Sequence, residues 1–362
     1  NGLNISADGA ISNGANASLL GTGAGKAVEI SAASLNNAGL VQSGGQHRTS
    51  LSGSFSNSGK VLTLAASAGG SDGVLSTQAA SISNSGTLSA AGEGVLTSTS
   101  GAISNSGTLQ AADNLTLTTA SNIANSGAAS KILSQRSIML TSSAPSFGIS
   151  NDGLLQAGFA LTMGESGHTV SSLANSATGQ IVSDRFSLTG NTFSNLGLLQ
   201  ATNWLDMTLT GLLANPGTML TTGPGSLFAF SADSFANSGT IQSAGQLLGS
   251  TSHAISNSGN ILTLRTAEGG SDGPLTLSAS SIGNTGAIAS GGNANLTSTS
   301  GNIVNSNLLQ AQGETVLSAA LGLQNSGSGS VIYSAGPLSV TSSNASFTIS
   351  NQGNIQSGQA VT

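Results

Sequence analysis

The stretch ISNSGTLQAADNLTLTTASNIANSG, residues Ile103 to Gly127, decides the fold. Its apolar residues come in pairs two apart, Leu109 with Ala111 and Leu115 with Leu117, and polar residues fill the positions between them. A spacing of two is the period of a β-strand with one buried face, whereas a helix repeats about every 3.6 residues. Clusters of Asn, Ser, Asp and Gly separate the pairs and mark turns. The stretch therefore predicts two or three short strands in a unit of about 20 residues.

The motif that opens this stretch recurs along the whole chain as an apolar residue, a small residue, Asn, any residue and usually Gly. Successive motif asparagines are 20 to 27 residues apart. They are Asn13, Asn37, Asn57, Asn84, Asn105, Asn125, Asn151, Asn175, Asn195, Asn215, Asn237, Asn257, Asn284, Asn305, Asn325 and Asn351. A repeat of this length indicates stacked supersecondary units rather than unrelated domains.

A second, longer periodicity lies above the first. GGSDG occurs at Gly69–Gly73 and again at Gly269–Gly273, an offset of 200 residues. Asn37 and Asn237 show the same offset, which contains nine repeat units, and the longer units fall at matching places in the two blocks. We therefore interpret the chain as a duplicated nine-unit block.

The repeat predicts the fold class because one unit is too small to bury its apolar face alone. Stacked units can bury it when each strand pairs with its equivalent in the next unit. We expect an all-β fold, a right-handed parallel β-helix of about 16 coils of about 20 residues, since parallel crossovers are right-handed. At a strand spacing of about 4.8 Å these coils make a rod of about 75 Å. We expect residues 1–362 to form one continuous β-helical repeat segment, with super-repeat blocks at approximately 1–162 (partial) and 163–362.

The motif Asn and Gly both have a structural interpretation. An Asn amide donates and accepts hydrogen bonds, so Asn side chains at equivalent corners are predicted to form a ladder along the stack. The Gly two residues later is expected to provide a positive φ at the corner.

The stretch from Ile103 to Gly127 resembles the haemagglutinin repeat of filamentous haemagglutinin-like exoproteins. That family includes two-partner secretion adhesins and the effector proteins of contact-dependent growth inhibition, and the resemblance covers essentially all 362 residues. It implies a right-handed β-helical filament that is exported through an outer-membrane secretion partner and is held on a Gram-negative cell surface or released. It further implies a rigid shaft segment of a longer exoprotein, used in adhesion or in contact-dependent toxin delivery to neighbouring bacteria. The alternative is a segment of the same kind of protein that itself binds a host-cell, glycan or bacterial surface receptor.

The composition excludes several classes of partner. The chain has 7 Lys and Arg against 13 Asp and Glu, a net charge of −6. These cations are too few to neutralise a run of phosphates, so we expect no binding of nucleic acid. It has no stretch of about 20 apolar residues, so we expect no membrane insertion. It has no Cys, which suits a chain that crosses an oxidising compartment before it folds.

The sequence offers little catalytic chemistry. Its acidic residues are scattered, whereas a polysaccharide lyase or hydrolase, the weakest of three functional hypotheses, needs carboxylates clustered on neighbouring coils. Glu268 and Asp272 are close in sequence, but the matching block has Ala68 in place of the glutamate. We expect no enzyme activity, no cofactor and no metal site, and we interpret the two GGSDG segments as surface loops rather than calcium loops.

The three histidines, His47, His168 and His253, lie far apart in the sequence. Their spacing does not match any set of metal ligands. We expect them at the surface or in turns.

Trp204 is the one residue that departs from this plain pattern. Aligning NWLDMTL with DNLTLTT places Leu205 and Met207 inward and leaves Trp204 and Asp206 outward. An outward Trp often contacts a sugar or a protein, so Trp204 and Asp206 are a candidate binding patch, unless Trp204 packs under a local loop. The surrounding stretch, Ser183 to Phe230, also contains Arg185, Phe186, Phe228 and Phe230.

Overall fold

A computed structural model of the chain describes residues 1–65, 73–264, 273–342 and 344–362. These residues form β-strands and turns, without a helix. It follows that this part of the chain contains no helix that could cross a membrane. The chain divides into two compact units, unit 1 from Asn1 to Thr189 and unit 2 from Gly190 to Thr362, and each is described by itself.

One coil of unit 1 shows how the sequence makes the fold. Its three strands are Ile103–Asn105, Thr108–Ala111 and Leu115–Thr119, and buried residues alternate with less buried ones along each of them. The buried positions are those that the two-residue period selects, because successive side chains of a strand point to opposite faces. The short polar segments between the strands turn the chain, so that all three strands face one central core.

Each strand pairs in parallel with its equivalent one coil further along, and the register is regular except for a shift between Phe147 and Gly148. Ile103 is opposite Ile123, and Asn105 is opposite Asn125. This pairing continues through each unit and gives every coil one strand in each of three parallel sheets, which we call sheets A, B and C. Sheet A contains the motif asparagines, and sheets B and C follow it in the chain. The predicted right-handed parallel β-helix is confirmed.

Unit 1 contributes eight strands to sheet A. These are Ala10–Asn13, Ser34–Asn37, Ser54–Asn57, Ser81–Asn84, Ile103–Asn105, Asn122–Asn125, Ser146–Asn151 and Thr169–Asn175. Its sheet B contains Ser18–Gly21, Leu40–Ser43, Lys60–Thr63, Thr87–Ala90, Thr108–Ala111, Lys131–Ser134 and Leu154–Ala157. Its sheet C contains Leu3–Ser6, Val28–Ala32, His47–Leu51, Leu75–Ala79, Gly94–Ser98, Leu115–Thr119, Ile138–Ser142 and Ala160–Met163.

Unit 2 repeats the same three sheets. Sheet A contains Leu212–Asn215, Ser234–Asn237, Ala254–Asn257, Ser281–Asn284, Asn302–Asn305, Gly322–Asn325 and Thr348–Asn351. Sheet B contains Thr218–Thr221, Thr240–Ser243, Asn260–Thr263, Ala287–Ser290, Leu308–Ala311, Val331–Ser334 and Asn354–Ser357. Sheet C contains Leu227–Ala232, Gln246–Thr251, Leu275–Ala279, Ala294–Ser298, Thr315–Ala319 and Leu338–Thr341.

Two longer strands, Gln180–Asn195 and Leu198–Leu209, bend without losing strand geometry and each pair in more than one sheet. In the first, residues 180–182 pair in sheet B and residues 185–188 pair in sheet C. In the second, residues 198–201 pair in sheet B and residues 204–208 pair in sheet C. At these corners the chain continues as strand where other coils have a turn.

The core of each unit is a narrow column of Leu, Ile, Val and Ala, together with phenylalanines. Phe55 and Phe147 are buried in unit 1, and Phe193 and Phe235 are buried in unit 2. Aromatic side chains therefore belong to the core, which the low aromatic content of the sequence did not indicate. In unit 2 the rings of Phe230 and Phe235 lie 4.7 Å apart, so they pack against each other.

The motif Gly has a different role from the expected one. Gly107 does not have a positive φ, and the positive-φ glycines are mostly elsewhere, with Gly127 and Gly327 the exceptions at motif positions. A Cβ on Gly107 would instead collide with the backbone carbonyl of Gly86 one coil earlier. The expectation of a positive φ was wrong for most motif glycines, because the close approach of two backbones at the corner is what excludes a side chain.

This contact predicts the effect of adding one methyl group. Gly107→Ala should destabilise unit 1 by about 1–3 kcal/mol, because the new methyl group would contact backbone atoms of the neighbouring coil, which can move only at an energetic cost. Gly14→Ala is the matched control, because nothing lies within 4 Å of a Cβ at Gly14. Denaturant unfolding of both variants measures the difference. Equal midpoints for the two variants would contradict the close-approach explanation.

Candidate functional site

The most regular feature of the molecule is the corner asparagine of sheet A. Asn84 is buried, and its Nδ2 donates to Oδ1 of Asn105 at 2.7 Å and to the backbone carbonyl of Thr108 at 3.1 Å. Its Oδ1 accepts from Nδ2 of Asn57 at 2.7 Å. Its backbone carbonyl accepts from the amides of Ser106 and Gly107 in the next coil. One side chain and its carbonyl thus satisfy the corner polar groups of three coils, where water has little access.

The same hydrogen bond links every successive pair of motif asparagines within a unit. The Nδ2 to Oδ1 distances are 2.7–2.9 Å, and each of these side chains except Asn351 is at most 4% exposed. The ladder of unit 1 contains Asn13, Asn37, Asn57, Asn84, Asn105, Asn125, Asn151 and Asn175. The ladder of unit 2 contains Asn195, Asn215, Asn237, Asn257, Asn284, Asn305, Asn325 and Asn351.

The second candidate feature, Trp204 with Asp206, lies on the outer face of sheet C in unit 2. Trp204 is 44% exposed, whereas Leu205 and Met207 are fully buried, as the alignment of repeats placed them. In the next coil Trp204 is opposite Leu227, and Asp206 is opposite Ala229. Partial burial raises the pKa of the Asp206 carboxyl, although a backbone hydrogen bond at Met207 acts in the opposite direction.

The aromatic residues grouped with Trp204 at the sequence level do not share its surface. Phe186 in unit 1 and Phe228 and Phe230 in unit 2 are buried core residues, at most 4% exposed. Arg185 in unit 1 is exposed. Of the three aromatic residues of this group that lie in unit 2, Trp204 is exposed to a binding partner, whereas Phe228 and Phe230 are buried.

His47 overturns the expectation that the histidines are at the surface or in turns. It is 1% exposed and lies on the inner face of sheet C, where its Nε2 is 2.7 Å from Oγ1 of Thr49. Among the residues that the structure describes, its Nδ1 and the buried Oγ1 of Thr77 have no hydrogen-bond partner. Burial in this apolar core lowers the pKa of His47 to about 4.

The duplication shows that this polar group is particular to unit 1. At an offset of 200 residues, His47, Thr49 and Thr77 correspond to Leu247, Gly249 and Leu277, and both leucines are fully buried. A neutral His side chain fills the space that a leucine fills in unit 2. The sequence signal was available, because residue 47 occupies an inward position of the two-residue period.

The other two histidines lie where they were expected. His168 is in a turn and its Nδ1 contacts the backbone carbonyl of Ala144 at 2.9 Å. His253 is exposed, and its Nδ1 lies 2.7 Å from Oδ1 of Asp233, which also accepts a hydrogen bond from Oγ of Ser252. The sequence did not indicate this cluster. These contacts lower the pKa of Asp233, Ser252 first and His253 second.

The Ser252, His253 and Asp233 cluster does not have the geometry of a nucleophile and its base. The hydroxyl of Ser252 donates to the carboxylate, and the nearest imidazole nitrogen, Nδ1, is 3.5 Å away. An activated serine would instead donate to a free imidazole nitrogen. The cluster is therefore a surface hydrogen-bond network.

Among the described residues, no three His, Cys, Asp or Glu side chains come together as metal ligands. Glu268, Asp272 and Ala68, together with the GGSDG segments apart from their last glycines, lie outside the described residues. The surface-loop interpretation of GGSDG therefore stays a prediction.

Comparisons of the chain with protein-family models, with curated proteins and with solved structures found no match. The resemblance to filamentous haemagglutinin-like repeats accordingly stands on the sequence motif alone.

The ladder predicts a large cost for removing one corner amide. Asn84→Ala should lower the unfolding free energy by at least about 2 kcal/mol, because it leaves buried polar groups of Asn57 and Asn105 without one of their partners. Ser83→Ala is the control, since Ser83 is the exposed neighbour on the same strand. Denaturant unfolding compares the two variants, and equal stability would remove the ladder from the account.

Burial of His47 predicts a pH dependence with a defined sign. The pKa of the His47 imidazole is 6.5 in the unfolded chain and about 4 in the folded chain. Protonation therefore favours the unfolded state, and the free energy of unfolding should fall as the pH drops from about 6.5 to 4. The full loss is about 3 kcal/mol. His47→Leu should reduce the stability difference between pH 7 and pH 4 by about this amount, whereas Ser83→Ala, which changes no titratable group, should not. An unchanged pH profile in His47→Leu would contradict the assignment.

Proposed function

We propose that the chain is a rigid β-helical shaft segment of a large secreted filamentous exoprotein. The observation that carries the proposal is the asparagine ladder, which repeats one corner through all eight coils of each unit. A ladder fixes each coil to its neighbours through side chains as well as through backbone pairing. Such a stack resists bending while presenting little specialised surface, which is what a spacer requires.

The surface chemistry supports the same role. Only 6% of the residues are charged and the outward positions are mostly Ser, Thr, Asn and Gln, so the shaft has few groups that would attract a partner. We place this shaft at the surface of a Gram-negative bacterium, exported through an outer-membrane secretion partner. There it would hold an adhesive or toxic segment away from the cell, in adhesion or in contact-dependent toxin delivery to neighbouring bacteria. The sequence resemblance supports this placement. We propose no catalytic role and no cofactor.

A second candidate function is binding of a host-cell, glycan or bacterial receptor by the segment itself. The observation that favours it is the 44% exposure of the Trp204 side chain on an open strand face. Exposed Trp residues often anchor interfaces because they bury a large area at a small entropic cost.

The shaft proposal requires the β-helix to run without a break from unit 1 into unit 2. The distance between two spin labels, one in each unit, tests this requirement. The chain has no Cys, so Ser76→Cys with Thr276→Cys places two labels 200 residues and nine repeat units apart. The shaft predicts a narrow distance distribution near 43 Å, about nine strand spacings. Asn4→Cys with Thr162→Cys is the control within unit 1, seven coils apart and near 34 Å.

Electron–electron double resonance on both pairs decides the proposal. A narrow distance in the control pair and a broad or much shorter one between Ser76 and Thr276 would rule out a continuous shaft.

A further inference from the structure

Two arginines and an exposed phenylalanine come together at the corner between sheets B and C of unit 1. Arg136, Phe159 and Arg185 follow one another there in three successive coils. The amide of Phe159 donates to the carbonyl of Arg136 at 2.7 Å, and the amide of Arg185 donates to the carbonyl of Phe159 at 2.8 Å. The chain has only 7 basic residues, and two of its arginines flank an exposed phenylalanine at this corner.

Phe159 is held as a surface platform. Its side chain is 51% exposed, whereas Phe147 and Phe186 of the same unit are buried. The guanidinium of Arg185 lies over the Phe159 ring, 5.4 Å from its centroid. A cation over one face fixes the orientation of the ring, so that the ring is available to a ligand without a large loss of conformational freedom.

A groove of about 540 Å³ adjoins this ring. Its lining consists of Asn114, Gln135, Arg136, Ser137 and Phe159, and does not include Arg185. The volume lies within the range of small-ligand sites. The lining offers one apolar ring, two side-chain amides, a hydroxyl and a guanidinium, all from consecutive coils of a rigid stack.

A second groove, of about 610 Å³, extends from the same corner over sheet B. Gln135 lines both grooves, and the second adds the amides of Gln110 and Gln156. The two grooves share Gln135, and between them they combine amide and hydroxyl groups with the apolar ring of Phe159.

The charges at this corner balance. Arg136 lies 3.7 Å from Asp113, and Arg185 lies 4.0 Å from Asp184. All four side chains are partly exposed, so these pairs are weak and the guanidinium groups stay available as donors. A neutral corner gives no advantage to a polyanion, and it favours a ligand that combines hydroxyl groups with an apolar face.

The duplicated block supplies an internal comparison. At an offset of 200 residues, Gln135, Arg136 and Phe159 correspond to Ala335, Gly336 and Gln359. Unit 2 forms matching strands at Val331–Ser334, Leu338–Thr341 and Asn354–Ser357, but it has no aromatic ring and no guanidinium at these three positions. The backbone of the β-helix does not require these three side chains, because the fold forms without them.

We propose that this corner of unit 1, which we call the Phe159 groove, binds a neutral saccharide. The carbon–hydrogen face of a pyranose ring packs on Phe159. Its hydroxyls accept from Arg136 and exchange hydrogen bonds with the amides of Asn114 and Gln135, and further sugar units follow the amides of Gln110 and Gln156. This binding role goes beyond that of a shaft, and it does not use Trp204.

The test is a titration of the full chain with neutral oligosaccharides, namely cellotriose, maltotriose, mannotriose and N-acetylchitotriose. The side-chain amide signals of Asn114 and Gln135 are followed by nuclear magnetic resonance. At least one of these sugars should shift both signals saturably. Phe159→Ala should weaken that binding at least about tenfold, since it removes the stacking surface. Leu321→Ala, which changes an exposed apolar residue of unit 2, should leave the affinity unchanged.

The controls separate the possible outcomes. Phe159 is exposed, so Phe159→Ala should keep the unfolding midpoint of the parent chain, and Phe159→Tyr should restore binding. Three results would overturn the proposal: no saturable shift with any of the four sugars, loss of binding in Trp204→Ala but not in Phe159→Ala, or binding of sialyllactose or trigalacturonate alone. Failure of this binding leaves the label distances of the shaft test unaffected, so the two proposals are tested separately.

Discussion

The hydrogen bond from one corner asparagine to the next is the interaction on which the structure depends. At corners such as that of Gly107, two backbones lie so close that a side chain on the motif glycine would collide with the coil before it. Water cannot satisfy polar groups in such a corner, so the chain must provide its own partners. The Asn amide does this because it donates and accepts at once, and the ladder then continues for as long as the motif recurs.

The ladder also explains why the outer surface is free to vary. Since stacking, corner hydrogen bonding and the apolar column hold the coils, outward side chains contribute little to the fold. The duplicated blocks illustrate this freedom. The corner with the exposed Phe159 in unit 1 has Gln359 at the matching place in unit 2. Local functions can therefore be added to a shaft without disturbing its backbone.

The sequence predicted the parts of the structure that repeat. The period of two identified the strands, the period of about 20 identified the coils, and alignment of repeats placed Trp204 outward and Leu205 inward. Prediction from the sequence failed for residues whose role depends on contacts with another coil. The role of Gly107 depends on the carbonyl of Gly86, 21 residues earlier, and the exposure of Phe159 depends on a corner that composition does not reveal. The burial of His47 could have been predicted from its inward position, but an isolated histidine was taken to be a surface residue.

The most direct test of the ladder is the exchange of asparagine side-chain amide protons with deuterium, resolved by residue with nuclear magnetic resonance. The account predicts slow exchange for buried ladder residues such as Asn84 and Asn257, because their amides are hydrogen-bonded within the corner. It predicts fast exchange for exposed asparagines outside the ladder, such as Asn16 and Asn344. Equally fast exchange at all four positions would contradict the claim that stacked asparagines hold the coils together.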